Sequence, residues 1–189
     1  TLRMYFDDEK LFLTLPRLLN GVPATLATIP VQQTNTAPKL EPFPSWKDNA
    51  VDDCDRIILP PDVIEYKTVY LNDLVVDNRD GDYAYITDNS VDDPGIIVFQ
   101  RENKKVWKLR DATSMMASPN ATSFRVNGTS INLPVNIDGI ALGPPFKTEN
   151  GVDRTVYYCP LSSFNFYAIN ASHLRDETLS NDTNNRHYY

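Results

Sequence analysis

Residues 70–110 read YLNDLVVDNRDGDYAYITDNSVDDPGIIVFQRENKKVWKLR, and this stretch decides how the sequence folds. It contains four short apolar runs rich in β-branched and aromatic residues, with Asp, Asn, Gly or Ser in the segments between them. The runs are Leu71–Val76, Tyr83–Ile86, Ile96–Phe99 and Val106–Leu109. Asp80-Gly81 and Pro94-Gly95 supply turn residues, and no connecting segment has a helical period. The pattern predicts a four-stranded antiparallel meander.

A weaker second copy of this meander follows downstream, at residues 138–174. Strand by strand, the pairs that align are Asp73–Asp77 with Asp138–Leu142, Tyr83–Ile86 with Thr155–Tyr158, and Ile97–Gln100 with Phe166–Ile169. Strand order is kept while loop lengths drift, as is typical of stacked repeats. Because about 40 residues make one β-propeller blade, we predict an all-β fold, an incomplete β-propeller with four-stranded antiparallel blades. An ordinary β-sandwich is the alternative.

The remaining segments complete one predicted domain over residues 1–189. A strand at Lys10–Arg17 pairs with Ala24–Ile29, and the proline-rich run PKLEPFPSW at 38–46 is an extended connector. Phe124–Ile131 is a hairpin, because Asn127-Gly128 suits a tight primed turn. The predicted parts are a strand pair and connector at 1–50, a blade at 70–110, a connector hairpin at 111–137, a blade at 138–176 and a polar tail at 177–189.

Composition excludes several classes of partner. The chain has 189 residues, 41% hydrophobic and 11% aromatic, and a formal net charge of −7. This apolar content suffices for one core. Nucleic acid and anionic membranes are excluded as main partners because either requires a basic face. No run of about 18 apolar residues is present, so no segment is expected to span a bilayer.

Four N-glycosylation sequons predict a secreted, extracellular protein, although Asn, Ser and Thr are also common in turns. The acceptor residues are Asn120, Asn127, Asn170 and Asn181. No signal peptide is visible, and the chain begins at Thr1 rather than Met, as a processed form would.

Motifs for catalysis and cofactor binding are missing from the sequence. His173 and His187 lie in polar segments without metal-ligand spacing. GxSxG, Walker and GxGxxG motifs are absent, and acidic pairs such as Asp92-Asp93 are typical of turns. We therefore predict no catalytic residue, no metal site and no cofactor, and leave enzymatic activity open.

Several motifs, in order, resemble the yellow and major royal jelly protein family of insects. They are KLFLTLPRLLNGVPATLATIP from residue 10, LEPFPSW from 40, YLNDLVVD from 70, INLPVNIDGIALGP from 131 and TVYYCPLSSFNFYAI from 155. The resemblance covers most of residues 10–176. It implies a secreted six-bladed propeller, in agreement with the repeat pattern.

The sequence departs from the family pattern after Cys54. In the family a further blade-sized stretch follows this position, whereas here residues 51–58 run straight into Leu59–Val63, and the chain reaches Tyr189 about halfway through such a propeller. Blades that do not close into a ring leave strand edges and apolar faces uncovered, so we expect self-association. Cys54 and Cys159 are either two free thiols or one disulfide.

The ends of the innermost strands form the channel mouth of a propeller. The residues predicted there are Asn72, Asp73, Thr87, Asp88, Asn89, Asp138 and Gly139. Carboxylates at a mouth suit a cationic aromatic ligand. Alternatively, these residues cap strands and fill turns.

The resemblance implies three classes of function. The first is a pigmentation-related extracellular protein that binds small aromatic amines or catechols. The second is an enzyme of the melanin pathway that converts dopachrome. The third is a structural or nutritive secreted protein without ligand or turnover.

Overall fold

The computed structural model describes the strand backbones at residues 3–6, 10–15 and 25–30, together with residues 55–79 and 82–181. The predicted connector at 38–46, the Asp80-Gly81 turn, Cys54 and His187 lie outside these residues. The described residues are mostly strands in antiparallel sheets, as predicted.

The first sheet has four strands in sequence order. They are β1 (Arg3–Phe6), β2 (Lys10–Leu15), β3 (Thr25–Pro30) and β4 (Asp55–Ile58). The predicted pairing of β2 with β3 is confirmed, with Leu13 opposite Ala27. The pair is the centre of a larger sheet, because β1 and β4 add to its two edges.

The second sheet is the predicted meander. Its strands are β5 (Leu71–Asp77), β6 (Tyr83–Asp88), β7 (Gly95–Gln100) and β8 (Lys105–Leu109), paired in that order. Nearly every residue of β5, β6 and β7 is buried. Strands buried on both faces read as continuous apolar runs, which is why the sequence identified them so clearly.

Short helices and a hairpin connect the second sheet to the third. Helix α1 (Ala112–Met115) is capped by Asp111, whose carboxylate accepts a hydrogen bond from the Thr113 amide. A 3-10 turn at Pro119–Ala121 then precedes the hairpin of β9 (Ser123–Val126) and β10 (Thr129–Asn132). Asn127 and Gly128 have φ values of 48° and 82°. Both are left-handed, as the predicted primed turn requires.

The third sheet consists of β11 (Ile137–Thr148), β12 (Gly151–Pro160) and β13 (Tyr167–Asn170). It has three strands among the described residues, so the four-stranded prediction is wrong here. Val75 pairs with Tyr85 and Ile140 pairs with Tyr158, so Tyr158 is equivalent to Tyr85. The alignment of Tyr158 with Ile86 was therefore one residue out of register.

From the end of β13 to residue 181 the chain is largely helical. Helix α2 (Ala171–Arg175) is followed by a 3-10 helix at Glu177–Asn181, where a polar tail was predicted. Leu174 is fully buried and Leu179 packs against the core. None of the helices in the described part of the chain is long and apolar enough to cross a membrane.

The second sheet separates two apolar clusters. On one face Val75, Tyr85 and Val98 pack against Ile140, Val156 and Tyr158 of the third sheet. On the other face, Leu74, Ile86 and Ile97 pack against residues 57–69. The first strand of this sheet contacts the first strands of both neighbours, since β5 lies against β1 and β11.

Candidate ligand-binding site

The candidate site begins with an irregularity in the first strands of the second and third sheets. In β5, Leu71 pairs with Asp88 and Leu74 with Ile86, so Asn72 and Asp73 together face Thr87. In β11, Ile137 pairs with Pro160 and Gly139 with Cys159, so Asp138 has no opposite residue. Each is a β-bulge, which redirects the bulged side chains away from the regular alternation.

The two bulges are joined by hydrogen bonds. The Asn72 side-chain amide donates to the Asp138 carbonyl oxygen at 3.3 Å and to the Asp138 carboxylate. The Thr87 hydroxyl accepts from the Asp73 amide at 2.9 Å and donates to the Asp138 carbonyl at 2.8 Å. Four of the predicted site residues therefore form one network between the two sheets.

Asn89 extends this network to the segment before β11. Its side-chain oxygen accepts from the Asn136 amide at 3.1 Å. The Asn136 side chain donates to the Ser90 carbonyl at 2.7 Å and accepts from the Ala117 amide at 2.8 Å. Asn136 is nearly buried, and sequence reasoning missed it. The sequence did offer one signal for it, because Asn136 stands directly before a strand, in a loop that crosses between sheets, where Asn side chains often bond to the backbone.

Asp88 lies outside the network because it is on the opposite side of β6 from Thr87. Its carboxylate is fully buried and accepts from Lys108 Nζ at 2.8 Å, and from the backbone amides of Tyr70 at 2.9 Å and Ser90 at 3.0 Å. These bonds make Asp88 a structural carboxylate that ties the end of β6 to β8.

Gly139 lies opposite Cys159, at the base of the Asp138 bulge. Cys159 is a free, half-buried thiol. Burial raises its pKa, the Asp138 carboxylate raises it further, and a backbone hydrogen bond with Gly139 acts in the other direction. The Asp138 carboxylate therefore lies near the Cys159 thiol at this end of the third sheet.

Two half-buried carboxylates, those of Asp73 and Asp138, therefore stand at neighbouring strand starts. Among the described residues, neither forms an ion pair with a Lys or Arg side chain. Tyr70, with 40% of its surface exposed, directly precedes β5 at the same end of the sheet. Carboxylates and an exposed ring together provide the chemistry that recognises an aromatic ammonium ion.

In the described part of the chain, no group of three or more His, Cys, Asp or Glu side chains is arranged to hold a metal ion. His173 lies in α2.

Three of the four predicted glycosylation acceptors are exposed and lie in different elements. Asn120 lies in the 3-10 turn, Asn127 at the tip of the β9–β10 hairpin and Asn170 directly before α2, and all three are exposed. Asn181 ends the 3-10 helix that follows α2.

Comparison with known proteins places the chain in a family. The family profile described as "Major royal jelly protein" matches residues 27–189. The chain belongs to the major royal jelly protein family. The resemblance drawn from the sequence motifs is thereby confirmed.

Individual relatives match across nearly all of this chain. Dopaminechrome tautomerase of Drosophila melanogaster is 23% identical over 96% of the chain and 50% of its own length. Protein yellow of Drosophila erecta is 25% identical over 93% of the chain and 42% of its own length. Protein yellow of Drosophila melanogaster matches with the same identity and coverage. The chain thus spans half or less of the length of these relatives.

Proposed function

We propose that the three sheets are neighbouring blades of a β-propeller, and that the mouth formed by Asp73 and Asp138 binds small aromatic amines or related catechols. The observation that supports it best is the hydrogen-bonded network between the β5 and β11 bulges, with two carboxylates that no cation neutralises among the described residues. Support for this arrangement comes from the second and third sheets, which pack against each other with their first strands in contact, as expected of adjacent blades.

The negative charge of the two carboxylates is the reason for proposing an amine as the ligand. An ammonium group forms charge-assisted hydrogen bonds with carboxylates, and these are about twice as strong as bonds between neutral groups. The formal charge of −7 also favours the approach of a cation. An aromatic ring carried by the ligand can stack on an exposed side chain such as Tyr70.

Calorimetric titration with dopamine tests this proposal. We expect Asp73→Asn and Asp138→Asn each to weaken binding roughly tenfold or more, because each removes a charged hydrogen-bond partner worth about 1.5–3 kcal/mol. The Asn side chain at 138 keeps an oxygen for Asn72. Glu149→Gln is the matched control, because it removes an exposed carboxylate at the far end of β11. Equal weakening by all three variants, or no heat with the wild-type chain, would refute the proposal.

A second candidate function is supported by one relative, which is named Dopaminechrome tautomerase. For this second candidate we propose that the substrate binds at the same Asp73 and Asp138 mouth. Loss of dopaminechrome colour above the uncatalysed rate, abolished in Asp138→Asn, supports the enzyme. Binding of dopamine with no acceleration of colour loss supports the binding protein.

We further propose that the chain is extracellular and serves cuticle pigmentation. The four sequons and the name of the yellow relatives support this assignment. A structural or nutritive role without a ligand is the remaining alternative, and a flat dopamine titration together with glycosylated oligomers would favour it.

A further inference from the structure

A groove lies at the end of the third sheet away from Asp138. It encloses about 600 Å³ between the β11–β12 turn and helix α2. Thr148, Asn150 and Val152 line it from the turn, and Asn170, Ser172 and Asp176 line it from the helix. Asp153 and Arg175 line it as well, so four of the eight lining residues are polar and uncharged, three are charged, and Val152 offers an apolar surface that is 45% exposed.

Asn170 occupies the N-cap position of α2 without capping it. Asn is a favoured N-cap residue because its side chain accepts from the first free amides of a helix. Here the Asn170 side chain makes no capping hydrogen bond. Asp153 supplies the cap instead, since its carboxylate accepts from the Ser172 amide at 3.2 Å and from the Ser172 hydroxyl at 2.7 Å.

Asp153 is held firmly in this role. It is 5% exposed and pairs with Arg175 at 3.1 Å, and Arg175 also lies 3.7 Å from the fully buried Asp77. The helix is therefore capped without Asn170, whose exposed side chain lines the groove.

We propose that Asn170, the acceptor of the Asn170-Ala171-Ser172 sequon, carries an N-linked glycan whose first sugars lie in this groove. The volume falls in the range of about 300–1,000 Å³ that is typical of small-ligand sites. The amides, hydroxyls and Asp176 can bond the sugar hydroxyl and acetamido groups, while Val152 packs against a sugar face. The inference rests on the proposed passage through the secretory pathway.

The fold also dictates when the sugar is attached. In the transfer, the Asn170 amide nitrogen bonds to the anomeric carbon of N-acetylglucosamine, loses one proton and displaces the pyrophosphate of a lipid-linked oligosaccharide. The Ser172 hydroxyl, which completes the sequon, is bound to Asp153 in the folded chain. Transfer therefore precedes the docking of α2, and the first sugars come to lie in the open groove as it forms.

The experiment compares two glycans on the full chain secreted from insect cells. Glycopeptide mass spectrometry measures occupancy at Asn170 and at Asn127, which stands on an exposed hairpin tip. A peptide-N-glycosidase is then applied to the native protein. We expect the Asn127 glycan to be released at least tenfold faster than the Asn170 glycan, with the two rates converging after denaturation.

A second variant keeps the sequon intact. Val152→Ala should speed native release at Asn170 and leave release at Asn127 unchanged. Asn170→Gln should lower the melting temperature of the insect-cell protein but not that of the unglycosylated bacterial protein.

The possible outcomes distinguish failure of the groove proposal from failure of the proposed secretion on which it rests. Occupied Asn127 with empty Asn170, or equal native release at both, would overturn the groove proposal alone. Absence of glycan at all sequons of the secreted chain would overturn both.

Discussion

Lys108 is a lysine with none of its side chain exposed. Its ammonium group lies 2.8 Å from the Asp88 carboxylate and 3.0 Å from that of Asp93. The sequence could not show this, because lysine in an edge strand is normally exposed and its partners are set by the pairing of β7 with β8. The Asp93 carboxylate, bound also by Arg110, completes a charged cluster at the loop before β7.

Replacing Lys108 by Met should lower the free energy of unfolding by about 3–5 kcal/mol, because it leaves the buried Asp88 carboxylate without its cation. Urea denaturation measures the change. Lys147→Met, at an exposed position, is the control and should stay within about 0.5 kcal/mol. The double variant Asp88→Asn with Lys108→Met should recover part of the loss. Equal stability of the Lys108→Met and Lys147→Met variants would disprove the role of the pair.

Asp93 gives the cluster a pH dependence. Burial raises the pKa of Asp93, but the hydrogen bonds from Arg110 and Lys108 and the positive charges of both groups together hold the pKa below its ordinary value. A lowered pKa in the folded state means that the stabilisation is complete above the unfolded pKa of about 3.9 and is lost as the pH falls through the folded pKa. Asp93→Asn should therefore lose less stability than wild type below about pH 4.

Urea midpoints measured from pH 6 down to pH 2 test this, with Asp62→Asn, an exposed carboxylate, as the control. If the urea midpoints of wild type and Asp93→Asn fell equally as the pH is lowered, the pH dependence assigned to Asp93 would be wrong.

At the scale of elements, strands were predictable where they are buried on both faces. The bounds of β5–β8 lie within two residues of the apolar runs in the sequence. Helices α1 and α2 were missed, because four or five residues are too few to show a helical period. The bulges were missed as well, since they depend on how two strands pair, yet they bring Asn72 and Asp138 into contact.

Gly95 was interpreted as a turn residue, and the structure gives it a different role. A Cβ at this position would lie 2.5 Å from the Leu109 carbonyl oxygen and 2.7 Å from Lys108 Cε. Gly95→Ala should therefore lower the free energy of unfolding by about 1–3 kcal/mol, since β7 and β8 must move apart. Gly139→Ala is the matched control, because a Cβ there meets nothing within 4 Å. Thermal denaturation measures both variants. A loss of stability in Gly95→Ala no larger than in Gly139→Ala would count against the close packing of β7 and β8 at Gly95.

The β9–β10 hairpin stands apart from the main core, with nearly all of its residues exposed. Asn127→Gln should weaken the hairpin locally, because Gln suits a φ of 48° less well than Asn. Hydrogen exchange should accelerate at β9 and β10 while the global melting temperature changes little. In a secreted preparation the same variant should lose the mass of one glycan. Protection factors unchanged in the hairpin would show that its turn does not depend on Asn127.

For the whole molecule, the decisive contrast is between the second and third sheets. Among the described residues, the second sheet is covered on both faces, whereas the third packs on the second through one face. On the other face Tyr157 and Phe166 stack with ring centres 5.8 Å apart. Phe166 is 68% exposed and the nearby Phe164 is 82% exposed. The sequence indicated uncovered faces through the propeller argument, but only the structure shows that Phe164 and Phe166, in the loop between β12 and β13, are the exposed aromatic residues there.

An exposed aromatic face on a paired sheet favours association, so we expect the 189-residue chain to self-associate through it. The variant Phe164→Ser with Phe166→Ser should remain monomeric at concentrations where the wild-type chain forms dimers or larger species. Phe124→Ser is the control, since Phe124 is 44% exposed but lies on the isolated hairpin. Sedimentation velocity over a wide concentration range measures the outcome. If the Phe124→Ser variant were as completely monomeric as the double variant, the contact surface would include the hairpin and would not be specific to the third sheet. The reason is that a polar substitution shifts the association equilibrium only where the replaced residue is buried in the contact.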